Sequence, residues 1–233
     1  MKSVRKCLLL SNSTHYGHGY LDHAEREIRG FLGGRGRVLF IPWALHDREG
    51  YTARARRRFE LMGHTLESVH EAGWSLERAD ALFVGGGNTF RLVDALHRHA
   101  LIGPIRARVD GGMPYIGSSA GSIVAGPTLK TTKDMPVIQP PSFDAIGLVP
   151  FQISPHFQDP DPWSRHMGET QEERIRQYHE ENDGIVVGMR EGSILIIEGT
   201  TVTLTGLSGA RVFTKEHSPG EYVPGDRLDH ILN

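Results

Sequence analysis

The chain has 233 residues, of which 38% are hydrophobic and 23% are charged, and its formal net charge is −2. Such a composition is typical of a globular, enzyme-sized protein, and the charge excludes a global basic field that would recruit nucleic acid or anionic lipid. The single cysteine, Cys7, excludes an intramolecular disulfide framework and favours a reducing compartment, so we expect a cytoplasmic protein. No apolar segment approaches the length of a membrane span.

Short apolar runs alternate with amphipathic segments through the first half of the chain. The apolar runs, each predicted to be a strand buried on both faces, are residues 7–10, 38–41, 81–84 and 115–116. The segments with helical periodicity between them are residues 18–31, 48–62 and 89–99. This alternation predicts an α/β fold with a mostly parallel central sheet flanked by helices.

The second half of the chain has a different pattern. Residues 130–162 contain seven of the 13 prolines, which predicts a long ordered loop region rather than a helix. Short β-rich runs follow at residues 185–189, 194–197, 201–204 and 211–214, and they predict hairpins that extend the sheet or form its antiparallel edge. Because no repeat or linker interrupts the chain, residues 1–233 are interpreted as a single domain.

A Gly-Ser-Ser-Ala-Gly pentapeptide at residues 117–121 has the G-x-S-x-G form of a nucleophile elbow. It follows a strand-like run and precedes a helix-like start, which is the context that such a motif requires. The flanking glycines allow the tight turn that exposes the central residue, Ser119. The alternative is a Gly/Ser-rich turn without chemistry.

A serine nucleophile needs a base, and His156 is the candidate because it follows a strand-like run and a rigid proline. The alternative is a structural histidine in a loop. Two carboxylates are candidates for accepting the second ring N–H of His156: Asp134, in the loop after the elbow helix, and Glu191, in a turn between two predicted strands. Triads occur in several chain orders, so the order of residues does not choose between these acids.

Gly86 and Gly87, followed by Asn88, connect the predicted strand at 81–84 to the next helix. Close backbone approach and free N–H groups at a helix start suit an oxyanion hole or a seat for a substrate carboxylate. The alternative is a tight turn in which Asn88 or Thr89 caps the helix. The loop lacks the lysine of a P-loop and the G-x-G-x-x-G spacing of a dinucleotide site, so we expect no nucleotide.

Arg174 and Arg176 lie on a predicted helix that a capping box opens at Thr170. Either arginine can bind a substrate carboxylate bidentately, and the alternative is a solvated or ion-paired side chain. The arginine-rich segment at 54–58 is interpreted as the polar face of a helix rather than a nucleic-acid contact. Histidine pairs in the chain lack the cysteine or carboxylate that would complete a metal site, so no metal is expected.

Taken together, these motifs resemble the peptidase E family of α-aspartyl dipeptidases over nearly the whole chain. The matching blocks are LLLSNST at 8–14, FIP at 40–42, VGGGNTF at 84–90, YIG at 115–117, SAG at 119–121, TT at 131–132, DMP at 134–136, PHF at 155–157 and GET at 168–170. The resemblance implies a fold akin to class I glutamine amidotransferases and a serine peptidase that releases N-terminal aspartate from dipeptides without a cofactor. It implies small peptides as partners, with no nucleic acid or membrane, and leaves a homo-oligomer open.

The resemblance also implies catalytic roles for particular residues. It carries the family's serine to Ser119 and its histidine to His156, and both Asp134 and Glu191 occupy family-like positions for the acid. Ser119 would attack the peptide carbonyl, while His156 would take its proton and deliver it to the leaving amine. The family usually has a bulky residue before the nucleophile, where this chain has Ser118.

The implied binding groups surround this serine and histidine. The N–H of Ala120 and one from Gly86 or Gly87 are the expected oxyanion donors. Arg174 or Arg176 is the expected partner of the substrate's β-carboxylate. Two alternatives stay open: a hydrolase of β-linked aspartyl polymers, as cyanophycinase is, and a non-catalytic small-molecule binding domain of the same fold.

Overall fold

The computed structural model describes residues 4–34, 36–165 and 167–232. Its strands are β1 (Lys6–Leu10), β2 (Arg37–Ile41), β3 (Thr65–Ser68), β4 (Ala81–Val84), β5 (Tyr115–Ser118), β6 (Gln152–Phe157), β7 (Val186–Arg190), β8 (Ser193–Glu198), β9 (Thr201–Gly206), β10 (Ala210–Phe213) and β11 (Gly220–Tyr222). Its α-helices are α1 (Glu25–Leu32), α2 (Arg48–Leu61), α3 (Thr89–Arg98), α4 (Ile102–Asp110), α5 (Ala120–Ile123) and α6 (Gln171–Glu181).

The larger sheet has the strand order β3-β2-β4-β5-β1-β8-β9 within the described residues. The five strands from β3 to β1 pair in parallel, whereas β8 pairs antiparallel with β1 and with β9. Strands that run in the same direction need crossover connections: α1 follows β1, α2 follows β2 and the α3–α4 pair follows β4. The predicted fold, a mostly parallel sheet flanked by helices with antiparallel strands in the C-terminal part, is confirmed.

Successive side chains of the buried strands point into two hydrophobic layers on opposite faces of the sheet. Leu9 packs in the layer that includes α3 and α4, while its neighbours Leu8 and Leu10 pack in the layer that includes α1 and α2. Burial on both faces explains why these strands are nearly uniformly apolar. On one of these faces, α2 begins after Asp47, whose carboxylate accepts a hydrogen bond from the Gly50 N–H at 2.9 Å.

A second sheet, with the order β11-β10-β7-β6, contains strands that the sequence pattern assigns to the first. The runs at 194–197 and 201–204 do extend the larger sheet as the β8–β9 hairpin. The runs at 185–189 and 211–214 instead become β7 and β10 of the second sheet. There β7 pairs in parallel with the preceding strand, β6, through a connection that contains α6, and a strand's own pattern does not encode which partner it pairs with.

Two further differences concern the helices. The helix predicted at 18–31 begins only at Glu25, after a 3-10 turn, because Leu21 adopts a left-handed backbone with φ of 58° that no α-helix contains. The periodicity does not predict α4, since Gly103 and Pro104 occupy its first turn, although proline is tolerated there. None of the described helices is both long enough and apolar enough to span a bilayer.

Candidate active site

Ser119 occupies the sharp turn between β5 and α5, the strand–turn–helix context that the pentapeptide predicts. Its φ is 51°, an unusual left-handed value for a residue with a side chain, and its N–H donates to the carbonyl of Leu10 at 3.0 Å. The flanking glycines are sterically required. A Cβ on Gly117 would lie 2.5 Å from the Gly121 carbonyl oxygen, and a Cβ on Gly121 would lie 2.1 Å from that of Val84.

A chain of two hydrogen bonds joins Ser119 to an imidazole and a carboxylate. Ser119 Oγ lies 3.0 Å from His156 Nε2, and His156 Nδ1 lies 2.8 Å from Glu191 Oε1. An ionised carboxylate can only accept, so Nδ1 carries the proton and Nε2 is left to accept from the serine hydroxyl. This is the arrangement that a general base requires.

The two sheets meet at this chain of hydrogen bonds. His156 lies near the end of β6, where the β6–β7 pairing is irregular, and Glu191 immediately follows β7. Parallel neighbours end at the same edge of a sheet, which is where open α/β sheets place their functional groups. The Gly192 N–H donates to Asn12 Oδ1 at 2.7 Å, so the turn that carries Glu191 is tied to the loop after β1 of the other sheet.

Asp134, the other candidate acid, does not contact His156. One of its carboxylate oxygens, Oδ2, accepts from the Thr89 N–H at 2.7 Å, from the Thr89 hydroxyl at 2.6 Å and from the Thr132 hydroxyl at 3.0 Å. Free N–H groups at a helix N-terminus attract a carboxylate, which explains this placement at the start of α3. Of the two acids that the sequence leaves open, the structure brings only Glu191 to the histidine.

Asn88 also serves the N-terminus of α3. Its Oδ1 accepts from the Arg91 N–H at 3.1 Å, and its Nδ2 donates to the Met135 carbonyl at 2.8 Å. The amide is therefore a helix cap that also anchors the loop carrying Asp134. Of the roles that the sequence leaves open for the glycine loop, Asn88 has that of a helix cap.

The glycine loop before α3 lies against Ser119. A Cβ on Gly86 would lie 3.0 Å from the Ser119 Cβ, which is closer than side-chain carbons usually approach one another. The Gly86 N–H is already engaged, because it donates to the Tyr51 hydroxyl at 2.8 Å. Gly87, with φ of 135°, has no acceptor for its N–H among the described residues, and neither does Ala120, the first residue of α5.

A cleft of about 460 Å³, a volume ordinary for a small-molecule site, opens beside Ser119 and His156. Arg54 is the one arginine or lysine among the described residues that line it. Its guanidinium carbon lies 5.2 Å from the ring centroid of Tyr20 and 5.4 Å from that of Tyr51. No described carboxylate pairs with it, so its charge faces the cleft on an aromatic support.

Arg174 and Arg176 do not line this cleft. Arg174 lies 3.8 Å from Glu169 and borders a neighbouring cavity, and both arginines are exposed on α6. The sequence pattern assigns residues 54–58 to a polar helix face, and that interpretation misses Arg54, which lines the cleft. The available signal is the spacing of Arg54 and Tyr51, because residues three apart on a helix share a face and Tyr51 is buried.

Neither a metal centre nor a reactive cysteine is found among the described residues. Within residues 4–34, 36–165 and 167–232, no group of three His, Cys, Asp or Glu side chains is placed to hold a metal ion. Complete burial raises the pKa of the Cys7 thiol to about 12, so the thiolate that a cysteine nucleophile needs is not formed near neutral pH.

Comparison with known proteins agrees with the motif-based resemblance. The model of peptidase family S51 matches residues 7–205. Peptidase E of Streptomyces coelicolor is 51% identical over 229 residues, which cover 97% of this chain and 94% of that protein. A probable alpha-aspartyl dipeptidase of Drosophila melanogaster is 42% identical, covering 100% of this chain and 99% of the relative.

The fold is likewise that of a solved peptidase. The crystal structure of a peptidase from an acI-B1 actinobacterium superimposes with a TM-score of 0.71 at 17% identity, over 97% of each chain. The family match covers most of the chain, and the relatives align along nearly its full length, which confirms the resemblance drawn from the motifs. The chain belongs to peptidase family S51.

Proposed function

We propose that this protein hydrolyses dipeptides with an N-terminal aspartate, with Ser119 as the nucleophile, His156 as the base and Glu191 as the acid behind it. The observation that carries the proposal is the continuous hydrogen-bonded chain through these three side chains. The names of the relatives, peptidase E and probable alpha-aspartyl dipeptidase, support the same substrate class.

The geometry supports a mechanism of acyl transfer in two steps. Ser119 Oγ attacks the carbonyl carbon of the scissile bond while His156 Nε2 takes the hydroxyl proton. The imidazolium then gives this proton to the leaving amine, and an aspartyl ester remains on Ser119. Water, deprotonated by His156, hydrolyses the ester. Glu191 holds the ring tautomer and stabilises the imidazolium in both steps.

The oxyanion of each tetrahedral intermediate needs hydrogen-bond donors close to Ser119. The N–H groups of Gly87 and Ala120 have no described acceptor; Gly87 lines the same cleft as Ser119, and Ala120 follows Ser119 in the chain, so we assign them this role. Gly86 has a different role in this proposal. Its N–H bond to Tyr51 fixes the loop that presents Gly87.

Recognition of the substrate's β-carboxylate is assigned to Arg54 rather than to Arg174 or Arg176. A planar guanidinium matches a carboxylate bidentately, and Arg54 is the arginine that lines the cleft. The faces of Tyr20 and Tyr51 hold this side chain in place. A substrate asparagine would leave the cation without its counter-charge, so the site should discriminate against it.

A panel of three dipeptides tests the substrate: Asp-Leu, Asn-Leu and the isomer of Asp-Leu linked through the β-carboxyl. We expect kcat/KM for Asp-Leu to exceed that for Asn-Leu by at least about 10²-fold. Preferential cleavage of the β-linked isomer would support a cyanophycinase-like hydrolase instead. Absence of both cleavage and phosphonate labelling at Ser119 would contradict an enzyme and favour a binding domain.

Replacing Arg54 with methionine should lower kcat/KM for Asp-Leu by about 10²–10³-fold, because two charge-assisted hydrogen bonds are lost. Cleavage of Asn-Leu should change little, since its amide does not need the cation. Arg54→Lys should be intermediate, because an ammonium keeps the charge but not the fork. Initial rates on both dipeptides measure these effects.

Arg57→Met is the matched control for this prediction. Arg57 lies on the same helix and is exposed, but it does not line the cleft beside Ser119. Its replacement should leave both rates near those of the wild type. Equal loss in the Arg54 and Arg57 variants would contradict a specific role for Arg54 and indicate a general effect of charge.

Three coarser expectations stay proposals. Residues 1–233 are proposed to form one domain, which is supported by a hydrophobic layer that includes Leu9 of one sheet and Val187 of the other. A cytoplasmic location is proposed from the single cysteine. Small peptides are the proposed partners, and the family supports peptides as substrates.

A further inference from the structure

The ammonium group of Lys133 lies against the backbone that carries His156. Its Nζ donates to the Pro155 carbonyl at 2.6 Å, to the His156 carbonyl at 3.2 Å and to Gln171 Oε1 at 2.9 Å. Gln171 Nε2 donates to the same His156 carbonyl at 3.1 Å. Two side chains, one from the loop after α5 and one from the first residue of α6, therefore converge on a single carbonyl oxygen.

The backbone that they hold is strained. His156 has φ of 52°, a left-handed value within a strand, and this backbone region is sparsely populated and unfavourable for a residue with a side chain. The N–H of His156 is also fixed, because it donates to Ser11 Oγ at 2.9 Å. Both polar groups of this residue's backbone are thus held by side chains from other parts of the chain.

The direction of the His156 imidazole depends on this backbone conformation. If the residue relaxed to the extended conformation of an ordinary strand, its Cβ would point elsewhere and the ring would leave Ser119, Glu191 or both. A misplacement of about 1 Å in a catalytic group can lower a rate by about 10²-fold. A group that holds the His156 carbonyl therefore acts on the chemistry without touching the substrate.

We propose that Lys133 is a positioning residue, which together with Gln171 holds the His156 carbonyl so that the imidazole reaches both Ser119 and Glu191. This inference rests on the proposed role of His156 as the base. Lys133 makes no hydrogen bond to the side chain of Ser119 or of Glu191. It also lies outside the described lining of the cleft beside Ser119.

The charge of Lys133 makes this role dependent on pH. Desolvation of the ammonium by the groups around it lowers the pKa of Lys133 to about 8, although the residue as a whole keeps an exposed face. Two nearby carboxylates, Asp134 and Glu191, raise the pKa of Lys133, and the guanidinium of Arg174 lowers it. Lys133 also borders a cavity whose other charged lining residues include Asp159, Asp161 and Glu169. Above this pH the amine is neutral, has two N–H donors for three acceptors, and donates more weakly.

Activity and stability should therefore respond to alkaline pH in opposite directions. Loss of the Lys133 charge weakens the hold on His156, so kcat should decline as the pH rises through about 8. The folded-state pKa lies below the ordinary value, so the folded protein favours the neutral amine. The contribution of Lys133 to the free energy of unfolding thus increases as the pH rises from about 8 toward 10.5, and is lost as the pH falls through about 8.

Variants at Lys133 and Gln171 test the proposal through kcat, KM and their pH profiles with Asp-Leu. Lys133→Met should lower kcat by about 10- to 100-fold with little change in KM, and should abolish the alkaline decline. Lys133→Arg should restore much of kcat and also lack the decline, because a guanidinium stays charged. Gln171→Leu should lower kcat but keep the decline, since Lys133 is still present.

Lys130→Met is the matched control. Lys130 lies three residues before Lys133 in the chain, and its Nζ donates to Asn182 Oδ1 at 2.7 Å. Replacing Lys130 should leave kcat and the pH profile unchanged. Wild-type kcat and an unaltered alkaline decline in Lys133→Met would overturn the proposal. So would a loss of kcat that Lys133→Arg does not restore while the free energy of unfolding stays at the wild-type value.

Labelling of Ser119 by a serine-directed phosphonate separates this proposal from the proposed substrate. The phosphonate reaction needs the same base but no dipeptide, so its rate should fall in Lys133→Met by about the same factor as kcat. Wild-type protein that labels but does not cleave Asp-Leu would contradict the substrate and leave the labelling test of Lys133 in force. Wild-type protein that does not label at all would overturn both proposals.

Discussion

Replacing Ser119 with alanine is expected to lower kcat for Asp-Leu by at least about 10⁴-fold. Ser119 is the residue whose hydroxyl lies 3.0 Å from His156 Nε2, and an alanine there leaves the base without a nucleophile to deprotonate. Residual hydrolysis would come from binding and the oxyanion donors alone. Release of leucine, measured over long incubations at high enzyme concentration, quantifies the remaining rate.

Ser118→Ala is the control that the same pentapeptide offers. Ser118 is fully buried, and its hydroxyl has no hydrogen-bond partner among the described residues. Removal of an unpartnered buried hydroxyl relieves its desolvation cost, so this variant should fold at least as stably as the wild type and keep its kcat. A near-normal rate in Ser119→Ala, or a comparable loss in both variants, would contradict Ser119 as the nucleophile.

Glu191→Gln is expected to lower kcat by about 10³–10⁴-fold with little change in KM. The glutamine side chain keeps the size of the glutamate but is neutral, and its NH₂ group favours the wrong tautomer of His156. The imidazolium that forms during the reaction would also lose its counter-charge, since Glu191 is the carboxylate 2.8 Å from Nδ1. Steady-state kinetics with Asp-Leu measure both parameters.

Asp134→Asn is the isosteric comparison at the other acid. The wild-type carboxylate of Asp134 binds the N-terminus of α3, so its replacement by a neutral amide should lower the free energy of unfolding by about 0.5–2 kcal/mol. Its kcat should fall by far less than that of Glu191→Gln. If Asp134→Asn lost about 10³-fold in kcat while Glu191→Gln stayed active, the acid would be misassigned.

Local patterns are sufficient for much of this protein. The uniformly apolar runs predict β1, β2, β4 and β5 because a strand buried on both faces has no polar position. The pentapeptide predicts the elbow at Ser119 because its two glycines occupy positions where a Cβ would lie only 2.1–2.5 Å from a carbonyl oxygen. Both are short-range constraints, so they can be recognised in a few consecutive residues.

Long-range pairing is not visible in such patterns. The second sheet forms because β6, from the proline-rich segment, pairs with β7 rather than with the larger sheet. No short stretch of residues encodes that partner. The same pairing places His156 and Glu191 at one edge, so the geometry of the site depends on the part of the fold that was hardest to predict.

Motifs of consecutive residues are sufficient to predict the family, the parallel sheet and the two candidate residues Ser119 and His156. The carboxylate that contacts the histidine and the arginine that lines the cleft are instead selected by contacts between distant parts of the chain. Asp134 accepts a hydrogen bond from the N–H of Thr89, at the start of a helix 45 residues earlier in the chain. Glu191 meets His156 because the two strands that carry them pair. Arg54 reaches the cleft because α2 packs against the larger sheet beside the elbow, and such distances across the fold leave no trace in the local order of residues.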